Sequence, residues 1–440
     1  MTASAPFPAR HMLRRCAIRS ALCALALPLP GPALAERGEP LGPRIEVGAG
    51  SALPAVASNA AGEFVVAWRE IAGGPVMARR YAADGTAAGD AFVVGFNPSE
   101  RAPAIAMNAS GAFVISWTTP RTQVLPLLVG GTVRPGRVLA RRYAPGGVAL
   151  GEAFEVAAEG DEADVAIDDD GDFVIGWAVD GNRGRASLFV PIGYLPIVDL
   201  DLAFAGVDRI AVRRYAADGT AFAPQVVDRQ AELLGRGASG VSVAMDVDGD
   251  HAVVWSRRLN RERSAIVAQR FDASGVAVGR ELAISASPVT GRDRAATTDA
   301  AMSQIGTLAV IWMPELSFSP SRSARIAIYS PDNTIRAAEF AVGPDDGSLA
   351  LRPKLASDSV GNLHVVAGGS GPSAQLQTRL LADNGVPLGP VMPVLPAPLV
   401  TFPEFSAISI DGAGVAAIAH VSFTGDGSGG RLGVQRFQGP

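Results

Sequence analysis

Residues 59–68 read Asn59-Ala60-Ala61-Gly62-Glu63-Phe64-Val65-Val66-Ala67-Trp68, a turn followed by an apolar run. An Asn side chain accepts hydrogen bonds from backbone two residues on, and glycine tolerates a positive φ, so the first four residues make a tight turn. The frame recurs along the chain. All five tryptophans stand six residues after a glycine: Gly62–Trp68, Gly111–Trp117, Gly171–Trp177, Gly249–Trp255 and Gly306–Trp312. Gly361–Ala367 and Gly414–His420 keep the spacing without the indole. Three residues before each glycine stands a turn-former: Asn59, Asn108, Asp168, Asp246, Ser303, Asp358 and Asp411. The chain is therefore built from seven copies of one unit.

Working outward from the first copy, Ala55-Val56-Ala57 is a short strand before the turn, and Glu63 to Trp68 is a second strand after it. Val76 to Tyr81 reads as a third, Ala83-Asp84-Gly85-Thr86 as another hairpin turn, and Phe92-Val93-Val94 as a fourth strand. In the later copies the third strands end at Tyr143, Tyr215, Phe271, Tyr329, Leu380 and Phe437. Phe64-Val65-Val66-Ala67-Trp68 is apolar at successive positions, whereas a sheet with one wet face would alternate. Both faces must be covered, as in propeller blades packed face to face. The last copy stops after its third strand, Leu432 to Phe437, and Arg44-Ile45-Glu46-Val47 near the other end resembles the missing fourth. The sequence predicts an all-β fold over 36–440: a single seven-bladed β-propeller of four-stranded antiparallel blades. A strand at about 44–47 completes the last blade and clasps the ring. The tryptophans are expected to pack between blades. Arg80, Arg142, Arg214, Arg270, Arg379 and Arg436, just before the third-strand aromatics, are expected to stack on neighbouring rings or hold solvated heads over buried stems.

The run Asp168-Asp169-Asp170-Gly171-Asp172-Phe173-Val174-Ile175-Gly176-Trp177 resembles the repeat of large secreted bacterial repeat proteins, "DGDFVVxW … QRFDxxGxxxGxEFxVN". So does Ile266-Val267-Ala268-Gln269-Arg270-Phe271-Asp272-Ala273-Ser274-Gly275, leading to Gly279-Arg280-Glu281-Leu282. The resemblance spans most of the chain and weakens in the last two copies. It implies a propeller-like fold and an exported protein, and transfers no catalytic residue.

Residues 1–35 read as a signal peptide: Arg10, Arg14, Arg15 and Arg19, then apolar Ala21 to Leu29, then Ala33-Leu34-Ala35. The expected location is periplasmic or extracellular. Both cysteines, Cys16 and Cys23, fall inside this segment, so the remainder has no thiol chemistry. No later stretch approaches a membrane span. The formal charge is −5, and the signal holds four arginines and no acid, so the rest is more acidic still. That argues against nucleic acid as partner. Lys354 is the only lysine, a pattern read here as coding bias towards arginine.

Function is expected on the face carrying the loops between second and third strands, together with the loops between blades. Two of these loops are long and apolar: residues 118–137, with Leu127 and Leu128, and residues 178–208, with Phe189, Tyr194, Leu195 and Phe204. Adjacent blades carry them, so they should meet, either as an inert cap or as a surface for a protein, glycan or surface partner. Arg101, Arg294 and Arg352 enter first strands from inter-blade loops, where they can hold anionic groups or stand exposed. Asp168/Asp170/Asp172 and Asp246/Asp248/Asp250 form partial calcium-loop patterns lacking the downstream Glu; solvated turns or structural calcium are the alternatives, with no other cofactor expected. His251, His364 and His420 occupy framework positions, and no nucleophile–base order, HExxH or phosphate loop is present. The favoured expectation is a non-enzymatic binding propeller. The alternatives are a glycan hydrolase or lyase with carboxylates at the channel mouth, and a structural scaffold or adhesin component.

Overall fold

Each Gly–Trp frame becomes the hairpin between the two inner strands of a blade. In the first blade Ser51–Ser58, Phe64–Glu70, Val76–Tyr81 and Phe92–Gly95 pair in that order. The computed structural model describes residues 37–439 except 50, 125–131, 135, 180–184, 191–197, 204–208, 229–237, 261–262, 291–297, 314–322, 344–350, 369–374, 396–399 and 424–429. Within them, seven sheets follow this antiparallel meander, as expected. The first strands of neighbouring blades touch all the way round, including that of blade seven with that of blade one, so the ring is closed. The one helical element among the described residues is the single 3-10 turn Ile71–Gly73.

The N-terminal segment supplies the outer strand of blade seven. Ile45 lies opposite Val434, Glu46 opposite Gly433 and Ala49 opposite Arg431. Gly38 N–H donates to Gln438 O at 2.9 Å, and Leu41 N–H donates to Arg436 O at 2.8 Å. The predicted signal peptide lies outside the described residues.

The recurring glycine has two causes. In each copy the turn-former's side chain accepts the N–H four residues on, as Asn59 Oδ1 does from Glu63 at 2.9 Å and Asp168 Oδ1 from Asp172 at 2.8 Å. This needs a left-handed residue third in line, and Gly62 has φ +87° and Gly249 φ +87°. The next blade adds a steric cause. A Cβ on Gly249 would stand 2.9 Å from Asp168 Oδ2, and one on Gly62 3.0 Å from Asp411 Oδ2. The tryptophans pack into the preceding blade. Trp117 lies among Val65, Ala67, Val76, Ala78 and Val94, and a Cβ on Gly95 would come within 2.2 Å of its ring.

The arginines before the third-strand aromatics correct the expectation. They mainly tie blade to blade through carbonyls. Arg142 donates to Ala217 O at 2.6 Å and to Asp218 O at 2.8 Å, and Arg270 donates to Gly306 O at 2.9 Å, each in the following blade. Arg214 ties to Ala273 and Ser274 likewise, and also stacks on Phe222 with its guanidinium 4.8 Å from the centroid. Arg379 belongs to a different row. Leu363 pairs with Leu381, as Phe64 pairs with Tyr81, so the third strand of blade six sits one residue later than the sequence suggested. A one-residue slip exchanges faces. Arg379 thus matches Arg141 and Arg213, which reach back to Val94 O and Val156 O; its own contact is with Val342 O.

His251 keeps the framework role, stacked on Phe271 with centroids 5.2 Å apart. His364 and His420 are buried, and neither ring nitrogen of either has a hydrogen-bond partner. Burial pushes His364 down to about 4 and His420 to about 3. The unfolded chain binds these protons more readily. The stability from each neutral imidazole is therefore full above about pH 6.5 and is lost as pH falls towards the folded values, on the order of 3 kcal/mol each. Blades one to three place Val65, Val114 and Val174 where blade six has His364. His364→Val is expected to raise the melting temperature at pH 7 and move the acid-unfolding midpoint lower. A midpoint unmoved from wild type in a pH-dependent melting series would refute this.

Candidate functional site at the loop-side mouth of the channel

The position four residues before each turn-former faces one register level of the channel. It pairs with the residue just before the tryptophan position in every blade. Blades seven, one and two place Ala407, Ala55 and Ala104 there. Blades three to six place Asp164, Ser242, Asp299 and Lys354. One wall of the channel is therefore small and apolar and the other polar and charged. Framework positions repeat because packing repeats, so a level at which four of the seven copies depart marks a local demand.

Part of that demand is structural. First strands have no sheet partner on the axial side, so their N–H groups there need other acceptors. Asp164 Oδ2 accepts from Val243 N at 2.8 Å, Ser242 Oγ from Ala300 N at 3.2 Å, and Asp299 Oδ2 from Leu355 N at 2.9 Å. Lys354 Nζ donates to Asp299 Oδ1 at 3.1 Å. Burial raises the Asp164 pKa, and the Asp299 charge adds to the rise despite the hydrogen bonds it accepts. Burial would lower Lys354, but Asp299 and Asp164 outweigh it and hold the ammonium charged.

Two residues nearer the loop side, the first strands of several blades bulge. Leu53, Glu162 and Arg352 have φ of 55°, 53° and 45° there, while blade four uses Gly240 at 67°. Side chains in this region cost of order 1 kcal/mol or more and concentrate at functional sites. The bulge carries Glu162 and Arg352 to the mouth. Arg101 contacts Glu162 Oε1 at 2.8 Å and Asp161 Oδ2 at 3.3 Å, and Arg121 contacts Asp161 Oδ2 at 2.9 Å. Burial pushes Asp161 up, but these two guanidinium groups prevail and keep it below its ordinary value. Arg352→Gly should be neutral or stabilising by ~1 kcal/mol, because blade four already uses glycine there. A chemical-denaturation measurement showing a loss above about 1 kcal/mol would contradict the strain assignment.

Of the residues singled out in the sequence, Arg101 and Arg352 lie at this mouth, while Arg294, Leu127, Leu128, Tyr194, Leu195 and Phe204 lie outside the described residues. The two long loops contain hairpins, Thr122–Val124 with Thr132–Arg134, and Arg185–Val190, which includes Phe189, with Val198–Ala203. Strands Thr132–Arg134 and Arg185–Val190 run beside each other, so the two loops do meet. The sequence reading missed Asp164, Ser242, Asp299 and Lys354. The available signal was the spacing of four residues before each turn-former.

The acidic turns stand at the other end of the channel, around a cavity of about 150 Å³ lined by turn residues of all seven blades. Their carboxylates already bond backbone. Asp246 Oδ1 accepts from Asp248 N at 3.1 Å and Asp250 N at 3.0 Å, and Asp172 and Asp250 accept Ala217 N and Ala273 N. Burial raises Asp168 and Asp246 to about 6. Asp170 and Asp248 are exposed. Among the described residues no three metal-ligating side chains come together.

Fold and site together define a seven-bladed β-propeller with an asymmetric channel. No protein-family model matches the chain, and no curated protein matches its sequence. Solved structures match at the level of fold. The polysaccharide lyase Uly1 is 10% identical with a TM-score of 0.52, over 91% of this chain and 100% of that one. A protein of unknown function from Dyadobacter fermentans is 10% identical with a TM-score of 0.49, over 90% and 97%. No helix among the described residues is long and apolar enough to cross a membrane.

Proposed function

We propose that this is an exported propeller that binds a glycan at the loop-side mouth of its channel. The observation that carries this reading is the break in the repeat, which places Asp164, Ser242, Asp299 and Lys354 opposite three alanines. Closely spaced donors and acceptors beside a low apolar wall suit a hydroxyl-rich ligand with one apolar ring face. A polysaccharide lyase built on the same fold accords with that ligand class.

A second reading, glycan hydrolysis or elimination, draws on the two carboxyls of the wall. Burial and the Asp299 charge raise the Asp164 pKa, and a carboxyl raised beside a second carboxyl is the pairing acid–base cleavage uses. The hydrogen bonds both already accept from neighbouring strands favour binding over turnover.

One experiment separates these readings: a glycan array followed by a reducing-end assay on every glycan bound. The same array is run on the Asp299→Ala/Lys354→Ala double variant, which gives blades five and six the alanine of blades seven, one and two. Removing both ions together avoids leaving one uncompensated, so the fold should survive. Binding by wild type, weakened tenfold or more in the variant without new reducing ends, is the expected result. Unchanged binding by the variant would remove the site from this wall, and released ends would favour the enzyme.

A further inference from the structure

Lys354 is the only lysine in a chain whose other basic residues are all arginine. Read from sequence, this was coding bias. Its place in the fold gives the exception a meaning. An ammonium is a compact point charge on a flexible stem, whereas a guanidinium is a broad planar fork, and the two do not substitute for one another in a confined site.

Lys354 rises from the first strand of blade six, and its Nζ bonds Asp299 of blade five at 3.1 Å. The Asp164 carboxyl of blade three also favours its charged form. The side chain keeps 39% exposure although protein surrounds it, because it faces the open channel. Among the described residues Asp299 is its one hydrogen-bond partner, and an ammonium carries three N–H donors. The nearby acids are already engaged. Asp164 already accepts Val165 N, Ser242 Oγ and Val243 N, and Asp299 already accepts Leu355 N. Arg352, two residues away, adds a second positive charge on the same side of the mouth.

Resting on the glycan reading above, we propose that Lys354 anchors an anionic subsite, so that the bound sugar carries a carboxylate or sulfate held by the Lys354 ammonium inside the channel.

The single ε-amine makes a direct test possible. Reductive methylation of the full chain with 13C-formaldehyde leaves the charge intact and labels one lysine, whose methyl resonance is separate from that of the terminal amine. Tetragalacturonate, a sulfated carrageenan tetrasaccharide and cellotetraose are titrated in turn, and their affinities for unlabelled wild type and Lys354→Met are compared. The expected result is a saturable shift of the lysine resonance with one or both anionic sugars and not with cellotetraose. Lys354→Met should weaken the active anionic sugar at least tenfold. Whether tetragalacturonate or the sulfated sugar acts tells carboxylate from sulfate. Equal shifts with cellotetraose would overturn the anionic subsite and leave the glycan reading standing. An anionic sugar bound as tightly by the methylated protein as by unlabelled wild type, with no movement of the lysine resonance, would overturn it as well. No binding by any sugar would overturn both.

Discussion

Replacing Asp228 with alanine should destabilise the protein by ~3–5 kcal/mol, the scale of breaking a buried ion pair by removing one partner. Asp228 follows the fourth strand of blade three and is fully buried. It accepts Trp255 Nε1 at 2.7 Å and Arg257 Nε at 3.0 Å, both from blade four. Arg257 is itself buried, lies 5.5 Å from the Trp255 ring centroid, and pairs also with Glu281. The alanine variant would strand the indole N–H and remove a carboxylate bonded to Arg257. Asp228→Asn keeps an acceptor for Trp255 and should recover part of the loss. Replacing Asp228 by Leu and Arg257 by Met together removes both charges and should cost less than Asp228→Ala. Urea unfolding of the four proteins measures this. A single alanine variant within about 1 kcal/mol of wild type would show that the cluster adds little across this boundary.

Deleting residues 36–48 should lower the melting temperature by about 10 °C or more. The deletion removes Val47 and Ile45 from the cluster that also holds Val434 and Leu432, a loss of ~1.5–3 kcal/mol for each side chain. It also removes backbone bonds to Arg436 and Gln438 and leaves Arg431–Phe437 as a bare edge. Arg44 crosses over Gly433, where a Cβ would come within 2.3 Å of its Nε, so the last strand is shaped for this segment. Adding the peptide 36–48 in trans should restore part of the loss. A melt unchanged by the deletion would mean that the ring holds without its clasp.

The framework was legible because packing repeats itself in the sequence. The glycine at Gly62 and its equivalents answers to a positive φ in every blade, and at Gly62, Gly111, Gly249 and Gly306 also to a neighbour's turn-former. The clasp could be read because Ile45 and Val47 complete a pattern left short at Phe437. Leu380 and Leu381 show where reading failed. Without an aromatic to fix the register, two adjacent leucines fit equally well, and Arg379 was assigned to the wrong row. The arginine ties were hidden for another reason: their partners are backbone carbonyls, which no residue type announces. Of the candidate site, Arg101 and Arg352 were singled out because they enter first strands from inter-blade loops. Asp164, Ser242, Asp299 and Lys354 vary in type from copy to copy. Only the closed ring shows that they share one level of one channel.

On the proposed glycan-binding reading, the ligand sits on the charged wall of the channel, at its loop side. Hydrogen–deuterium exchange with and without a glycan found on the array tests this most directly. Protection should appear in the first strands of blades three to six, at 161–164, 238–242, 298–300 and 351–355, and leave the turns at 59–62 and 246–249 unchanged. Protection confined to those turns, or to the outer strands, would contradict it.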